Sequence, residues 1–396
     1  MGEHARFSPS GAHRWMRCPG SLLAEEPMPN NSSAFADEGT AAHEFAGLFL
    51  SEEYSKEAAQ ALIDVLGVEV NGTVWPLTKD RFDPIWDYVC LVREYAAGGN
   101  LYVENRVDFS NYLDQPDAFG TSDSIIVHED EGRLTVIDLK YGMGERVDAD
   151  WLDKNMKTHG NEQLMLYALG ALYEYGWMAD FKTVVMVISQ PRLNHVSEYA
   201  CSIDELLEFG ERAKVAASLA LNEGAERVSG EKQCRWCKVK GTCQTLRADV
   251  FKAVSLELSD MPDADADDLG SAMDMVDLVE DWAKGVREEA ARRLSQGKAV
   301  TGFKLVTGRK GNRAWSNKDQ AEAVLKRYRL RQDEMYDYSL ISPTTAEKLL
   351  AEKFPKRWEK VKNLISRADG KPSVAPVTDK RPALVVQSVA DELADL

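Results

Sequence analysis

Residues 183–189, Thr-Val-Val-Met-Val-Ile-Ser, present no polar face. A strand of that composition is stable where both faces are covered, the environment of an interior strand in a sheet with helices on either side. The segment therefore directs the chain toward a layered α/β arrangement. The flanking patterns agree. Strand-like runs cover residues 101–109, 121–128 and 133–140, the last two joined by a tight turn over 129–132. Helical periodicity covers 37–50, 56–66, 83–97, 155–175 and 203–223, and residues 8–18 read as a short helix between Ser8-Pro9-Ser10 and Cys18-Pro19-Gly20. This order predicts an α/β core with a mixed central sheet flanked by helices, joined to a mostly helical C-terminal region.

A chain of 396 residues suits two domains better than one. The boundaries expected are a core domain over 1–255, an acidic linker over 256–268, an α-rich domain over 269–368, and a flexible tail over 369–396 rich in Pro, Val and Ala. Within the third segment the pattern predicts helices over 269–296, 318–328 and 344–364 and a β-like piece over 302–308. There is no internal repeat. No apolar run reaches membrane-spanning length, and the first twenty residues lack the apolar stretch of a secretory signal, so a cytoplasmic protein is expected. The net charge of −17 excludes a generally basic nucleic-acid coat protein. It leaves room for local basic tracks, and Arg14/Arg17, residues 232–240 and residues 309–313 supply them.

Asp138-Leu139-Lys140 ends the run Leu134-Thr135-Val136-Ile137 and follows Gly120-Thr121-Ser122-Asp123 by one hairpin. Side chains alternate along a strand, so Asp138 and Lys140 share a face. A carboxylate there can hold a divalent metal while the ammonium beside it polarises a water or a phosphate oxygen. Asp123 and Asp138 are the expected ligands, with the Leu139 carbonyl as a third, and Mg²⁺ or Mn²⁺ is the ion that carboxylate oxygens favour. Taken alone, Asp-x-Lys is more often a solvated strand end. Its neighbours argue otherwise: Gly39-Thr40-Ala41-Ala42-His43 on an early helix, and Gln163 and Tyr167 on one helix face at i, i+4. Glu44 lies elsewhere on its helix and reads as structural.

Gly-x-x-x-His, Gly-x-x-Asp, Asp-x-Lys and Gln-x-x-x-Tyr, in that order over residues 8–245, resemble the RecB-type branch of the PD-(D/E)xK nucleases. That branch includes recombination nucleases, the CRISPR adaptation exonucleases and many phage nucleases. The resemblance implies a restriction-endonuclease-like core and a Mg²⁺- or Mn²⁺-dependent DNA exonuclease in recombination or end processing. A structure-specific endonuclease and a non-catalytic DNA-binding scaffold are the alternatives. By position, His43, Asp123 and Asp138 are metal ligands and Lys140 is the catalytic lysine. Gln163 and Tyr167 contact DNA or support the site, and Glu104 takes the acidic position on the first core strand. The implied substrate is linear duplex or single-stranded DNA, in a bacterial or phage-infected cell. A single-strand annealing or binding protein is the implied partner, no membrane is involved, and an oligomer is compatible.

Cys234-x2-Cys237-x5-Cys243 brings three thiolates within reach of one metal centre, and by spacing alone zinc is the first choice. The resemblance supplies a fourth ligand. Iron–sulfur members of that branch carry one cysteine before the nuclease core and three after it, which implies a [4Fe–4S] cluster on Cys18, Cys234, Cys237 and Cys243, with zinc as the alternative. Cys90 and Cys201 read as core cysteines. Lys232, Arg235, Trp236, Lys238 and Lys240 around the triplet suit either strand contact or a solvated loop.

Overall fold

The computed structural model describes residues 5–29, 33–153, 155–254 and 266–304, together with 355, 358 and 359. The chain divides into two units, Met1–Leu305 and Val306–Leu396, and the elements below belong to the first. Residues 256–265 of the expected linker, the basic stretch from 309, the helices expected over 318–328 and 344–364 apart from three residues, and the tail lie outside the described residues.

Where the sequence predicts one helix over 8–18, the chain carries a 3-10 turn, Pro9–Gly11, and α1 (Ala12–Trp15), and α2 (Ser21–Glu25) follows beyond the expected end. Helix α3 (Ala34–Ser51) is capped by Ser33, whose hydroxyl accepts from Ala36 N, and α4 (Lys56–Gln60) follows. Strands β1 (Gly67–Val70) and β2 (Thr73–Pro76) form a hairpin closed by Asn71 and Gly72, both at positive φ, 50° and 77°. The helix expected over 56–66 ends at Gln60, and the hairpin follows in a stretch given no element from sequence, although the Asn-Gly turn between alternating valines is a signal for it. Helix α5 (Lys79–Tyr95) leads to β3 (Asn100–Asp108), α6 (Ser110–Leu113), β4 (Phe119–His128) and β5 (Arg133–Leu139).

A second small hairpin, β6 (Asp150–Leu152) with β7 (Thr158–Gly160), precedes α7 (Glu162–Tyr175). The helix expected from 155 starts later because Asn161 stands at its N-cap, its side chain accepting from Gln163 N at 3.0 Å. Strand β8 (Thr183–Gln190), β9 (His195–Ser202) and α8 (Ile203–Ala220) complete the core. The five-stranded sheet has the order β3-β4-β5-β8-β9, with β5 and β8 parallel and every other pair antiparallel. Strand β9, an edge strand of alternating burial, has no counterpart among the sequence-predicted elements.

The apolar run that constrains the sequence behaves as expected: Val184, Met186 and Ile188 join one core and Val185 and Val187 the other. The first core lies between the sheet and α7 and α8, the second between the sheet and α3 and α5. Cys201 is buried, whereas Cys90 is exposed on α5 and is not the core cysteine the sequence suggests.

After α8 the chain forms α9 (Glu231–Cys234), a 3-10 turn Lys240–Thr242, α10 (Gln244–Val254) and α11 (Ala266–Ser295). A third small core of Cys234, Leu246, Val250 and Leu278 joins them. Lys240 is buried, its Nζ donating to Arg235 O and Asp281 Oδ1 at 2.6 and 2.9 Å. The turn meets α11 through two glycines, and a Cβ on Gly241 would lie 2.2 Å from the Gly285 carbonyl oxygen. No helix among the described residues is long and apolar enough to cross a membrane.

Candidate metal centre

Three adjacent strands bring one acidic residue each to the same level of the sheet. Ser124 of β4 pairs with Ile137 of β5 and with Val103 of β3, so one step along are Asp123, Asp138 and Glu104. Helix α3 adds His43, whose Nδ1 is 3.1 Å from Asp123 Oδ1. Among the described residues, His43, Glu104 and Asp123 each place a ligand atom within 4.8 Å of the others'. Asp138 stands beside this trio rather than within it. Its Oδ1 accepts from Gln163 Nε2 at 3.0 Å, and its Oδ2 faces Lys140 Nζ at 2.9 Å.

Glu104 is held in an unusual backbone conformation, φ 48°, in the middle of a strand. Left-handed backbone at a non-glycine residue costs on the order of 1 kcal/mol and persists where the surroundings enforce it. Here the carboxylate side chain packs onto α3 at Gly47, where an added Cβ would lie 3.0 Å from Glu104 Cγ. Gly47 sits one turn beyond His43 on the same helix, so α3 supplies both a ligand and the clearance for its neighbour.

The second group of side chains fixes orientation. Leu139 contributes its N–H, donated to Asp123 Oδ2 at 2.6 Å, where the sequence suggests its carbonyl as a ligand. Lys140 Nζ donates to Gln163 Oε1 at 2.9 Å. Gln163 thus spans the lysine and Asp138 with one amide, and its Nε2 also reaches Tyr167 Oη at 3.3 Å. Gly120 stands where Tyr167 and Pro9 converge, since a Cβ there would meet them at 2.8 and 2.6 Å. The alternation argument holds, as Asp138 and Lys140 both point toward α7. Ser124 points to the opposite face and meets the Tyr88 hydroxyl at 3.0 Å.

The electrostatics of this group are those of crowded negative charge. Burial first, then Asp123, pushes the Glu104 carboxyl up to about 8, with Glu44 and Asp138 adding and His43 opposing. Burial, together with Asp123, also raises Asp138, against the pull of Lys140 and His43. Burial disfavours a charged His43, yet Asp123, Asp138 and Glu104 hold it up at about 9. Burial raises Tyr167, so its hydroxyl stays protonated. An imidazole and convergent carboxylates that repel one another are a donor set suited to a divalent cation, which would satisfy them together. Glu104→Gln is expected to weaken Mn²⁺ binding by ~10-fold or more, as loss of even outer-shell partners costs ~10–100-fold. Calorimetric titration with Mn²⁺ reads this, and an unchanged Kd would remove Glu104 from the site.

The four cysteines named by the sequence converge from both ends of the core. Cys18 follows α1, and its Sγ accepts from Val228 N at 3.3 Å. Charge on Cys18 and Cys243 bears on Cys234, charge on Cys243 bears on Cys18, and charge on Cys234 bears on Cys237, so the thiols share one neighbourhood. Burial is the leading cause that raises Cys18, Cys234 to about 11 and Cys237 to about 12. Glu25 ties the two chain ends, accepting from Arg14 Nε at 2.7 Å and from Lys238 N at 2.6 Å. Three of these thiols, Cys18, Cys234 and Cys237, are costly to ionise alone, and with an N–H already directed at the Cys18 sulfur they suit a thiolate-ligated metal centre.

Two charged pairs join this neighbourhood to the carboxylates. Arg17, next to Cys18, pairs with buried Glu162, the residue before Gln163, and Arg235 pairs with Glu145 in the loop after Lys140. Sequence reasoning missed both, because each links residues more than 80 positions apart and no local pattern announces them.

The family model described as "Protein of unknown function (DUF2800)" matches residues 4–382 of the chain. Among solved structures, the chain is similar to a crystal structure described as a "Putative exonuclease" from Eubacterium rectale. The identity is 10% over 56% of this chain and 84% of that one, with a TM-score of 0.31. It is also similar to the crystal structure of SSO0001, at 16% identity over 59% of this chain and 85% of that one, with a TM-score of 0.25.

Proposed function

The chain belongs to the DUF2800 family, and from its own geometry we propose that it is a divalent-metal-dependent deoxyribonuclease, an exonuclease acting on DNA ends. The observation that carries this reading is the row Glu104–Asp123–Asp138 across three strands, with His43 closing it on one side and Lys140 fixed over Asp138 on the other. Mg²⁺ or Mn²⁺ held by His43, Glu104 and Asp123 would offset phosphate charge and make a bound water acidic. His43 must give up its proton to serve as a ligand, so metal binding is accompanied by proton release.

The chain's own residues do the rest. The Lys140 ammonium, held by Gln163 Oε1 and beside Asp138, is placed to orient the attacking water or to meet charge developing on the phosphate. Asp138 keeps that ammonium in position, and Gln163 fixes both partners at once. Tyr167 accepts from Gln163 and so keeps its own proton for donation toward the substrate. Cys18, Cys234, Cys237 and Cys243 would hold a second centre, a [4Fe–4S] cluster or, as the alternative, zinc, which closes the domain rather than reacting.

Incubation of end-labelled linear duplex, single-stranded and closed circular DNA with Mn²⁺ or Mg²⁺ tests the assignment. Degradation confined to molecules with ends is the expected result. Nicked circles would make the protein an endonuclease, and binding without cleavage would make it a scaffold.

A further inference from the structure

Beside the candidate metal centre lies a second feature that the reaction does not use, a cleft of about 280 Å³ between α1, the β6–β7 hairpin, α7 and α8. Its wall is aromatic and cationic. Trp151 stacks on His159 at 4.7 Å, and Arg17 and Lys232 both lie over the same indole, at 4.6 and 3.8 Å from its centroid. Arg212 enters from α8 above Phe209. The two acids of the cleft are each engaged: Glu162 pairs with the cleft's own Arg17, and Glu205 accepts from the Tyr199 hydroxyl. Among the described residues, neither Lys232 nor Arg212 has a carboxylate within 4.0 Å, in a chain whose net charge is −17.

The position of the cleft gives these charges a use. Glu162 and Gln163 are consecutive in the first turn of α7, and successive residues of a helix point about 100° apart. Gln163 faces the carboxylates, so Glu162 and the cleft lie on the adjoining side of the same turn. We propose that Lys232, over Trp151, and Arg212, over Phe209, hold the phosphodiester backbone of the substrate strand beyond the scissile phosphate. Each would neutralise one phosphate without reading a base. With His159 stacked on Trp151 and two cations over it, the indole acts as a platform for the cations rather than for a stacked base.

The inference rests on the nuclease reading, and the test separates their failures. Lys232→Gln/Arg212→Gln changes two exposed side chains, and thermal melting checks that the fold persists. In an Asp138→Asn background, which allows DNA to bind without being consumed, the Kd for a short DNA duplex is measured over a range of salt. The double variant is expected to bind ~10-fold more weakly and to lose about 1.8 from the log–log salt slope, since each neutralised phosphate contributes ~0.9. Lys214→Gln, one charge fewer on the same helix but paired with Asp114, should leave the slope unchanged. In the active protein the same double variant should raise KM. If the unmodified protein degrades DNA while the double variant keeps its Kd, slope and KM, this inference falls alone. If the unmodified protein degrades no DNA under any metal, the nuclease reading falls, and the inference with it.

Discussion

Replacing Lys140 by alanine is expected to lower the single-turnover rate of metal-dependent DNA hydrolysis by ~10²–10³-fold, the order lost when one preorganised charged group is taken from a transition state. The side chain does two things that no neighbour can take over. It places a cation between Gln163 Oε1 and Asp138 Oδ2, both at 2.9 Å, and it opposes the burial raising Asp138 more strongly than His43 does. Without it, Asp138 loses the larger of the two cationic influences that favour its charged form, so the variant weakens a second group as well. The ammonium is at the end of β5, beyond the last strand residue, so thermal stability should change little. Quench assays on end-labelled DNA with saturating Mn²⁺ read the effect, and an undiminished rate would take Lys140 out of the reaction. Asp138→Asn should be as damaging, because it removes the carboxylate while leaving the volume.

Cys18→Ala carries the second large expectation, on stability. Cys18 and the segment 234–243 are the two ends of the core, and a metal centre that joins them closes a loop of more than 200 residues. By chain-entropy arithmetic a cross-link over such a loop is worth ~5 kcal/mol, against a typical domain stability of ~5–15 kcal/mol. The variant is expected to lose the centre and to melt far below the parent. Cys90→Ala, at an exposed position, should melt with the parent. Absorption near 400 nm in anaerobically purified protein, lost in Cys18→Ala, is the expected signature of the [4Fe–4S] cluster. Stoichiometric zinc in a colourless sample would replace the cluster with zinc, and parent protein with neither metal would contradict both forms.

The sequence carried the parts of this architecture that depend on local pattern. Alternation put Asp138 and Lys140 on one face, apolar composition put 183–189 inside the sheet, and helix spacing put Gln163 and Tyr167 together. What it could not carry was pairing register. Glu104, which the resemblance placed at the acidic position on the first core strand, joins the candidate ligand group because β3 aligns it with Asp123 and because its backbone turns into the left-handed region, neither of which a single strand encodes. The same register sets Asp138 beside Lys140 and next to the trio of His43, Glu104 and Asp123. Two signals were legible in principle: Asn71-Gly72 marks the β1–β2 turn, and Asn161 caps α7 within the helical periodicity expected from 155.

The most direct test of the central claim is Mn²⁺ binding and DNA hydrolysis measured on the same preparations of the parent, Asp123→Asn and Lys140→Ala. The account predicts that the parent binds Mn²⁺ and degrades linear DNA, and that chelator abolishes degradation. Asp123→Asn should lose both properties, whereas Lys140→Ala should keep Mn²⁺ affinity and lose hydrolysis. Full hydrolysis by Asp123→Asn, or degradation by the parent that survives exhaustive chelation, would contradict it.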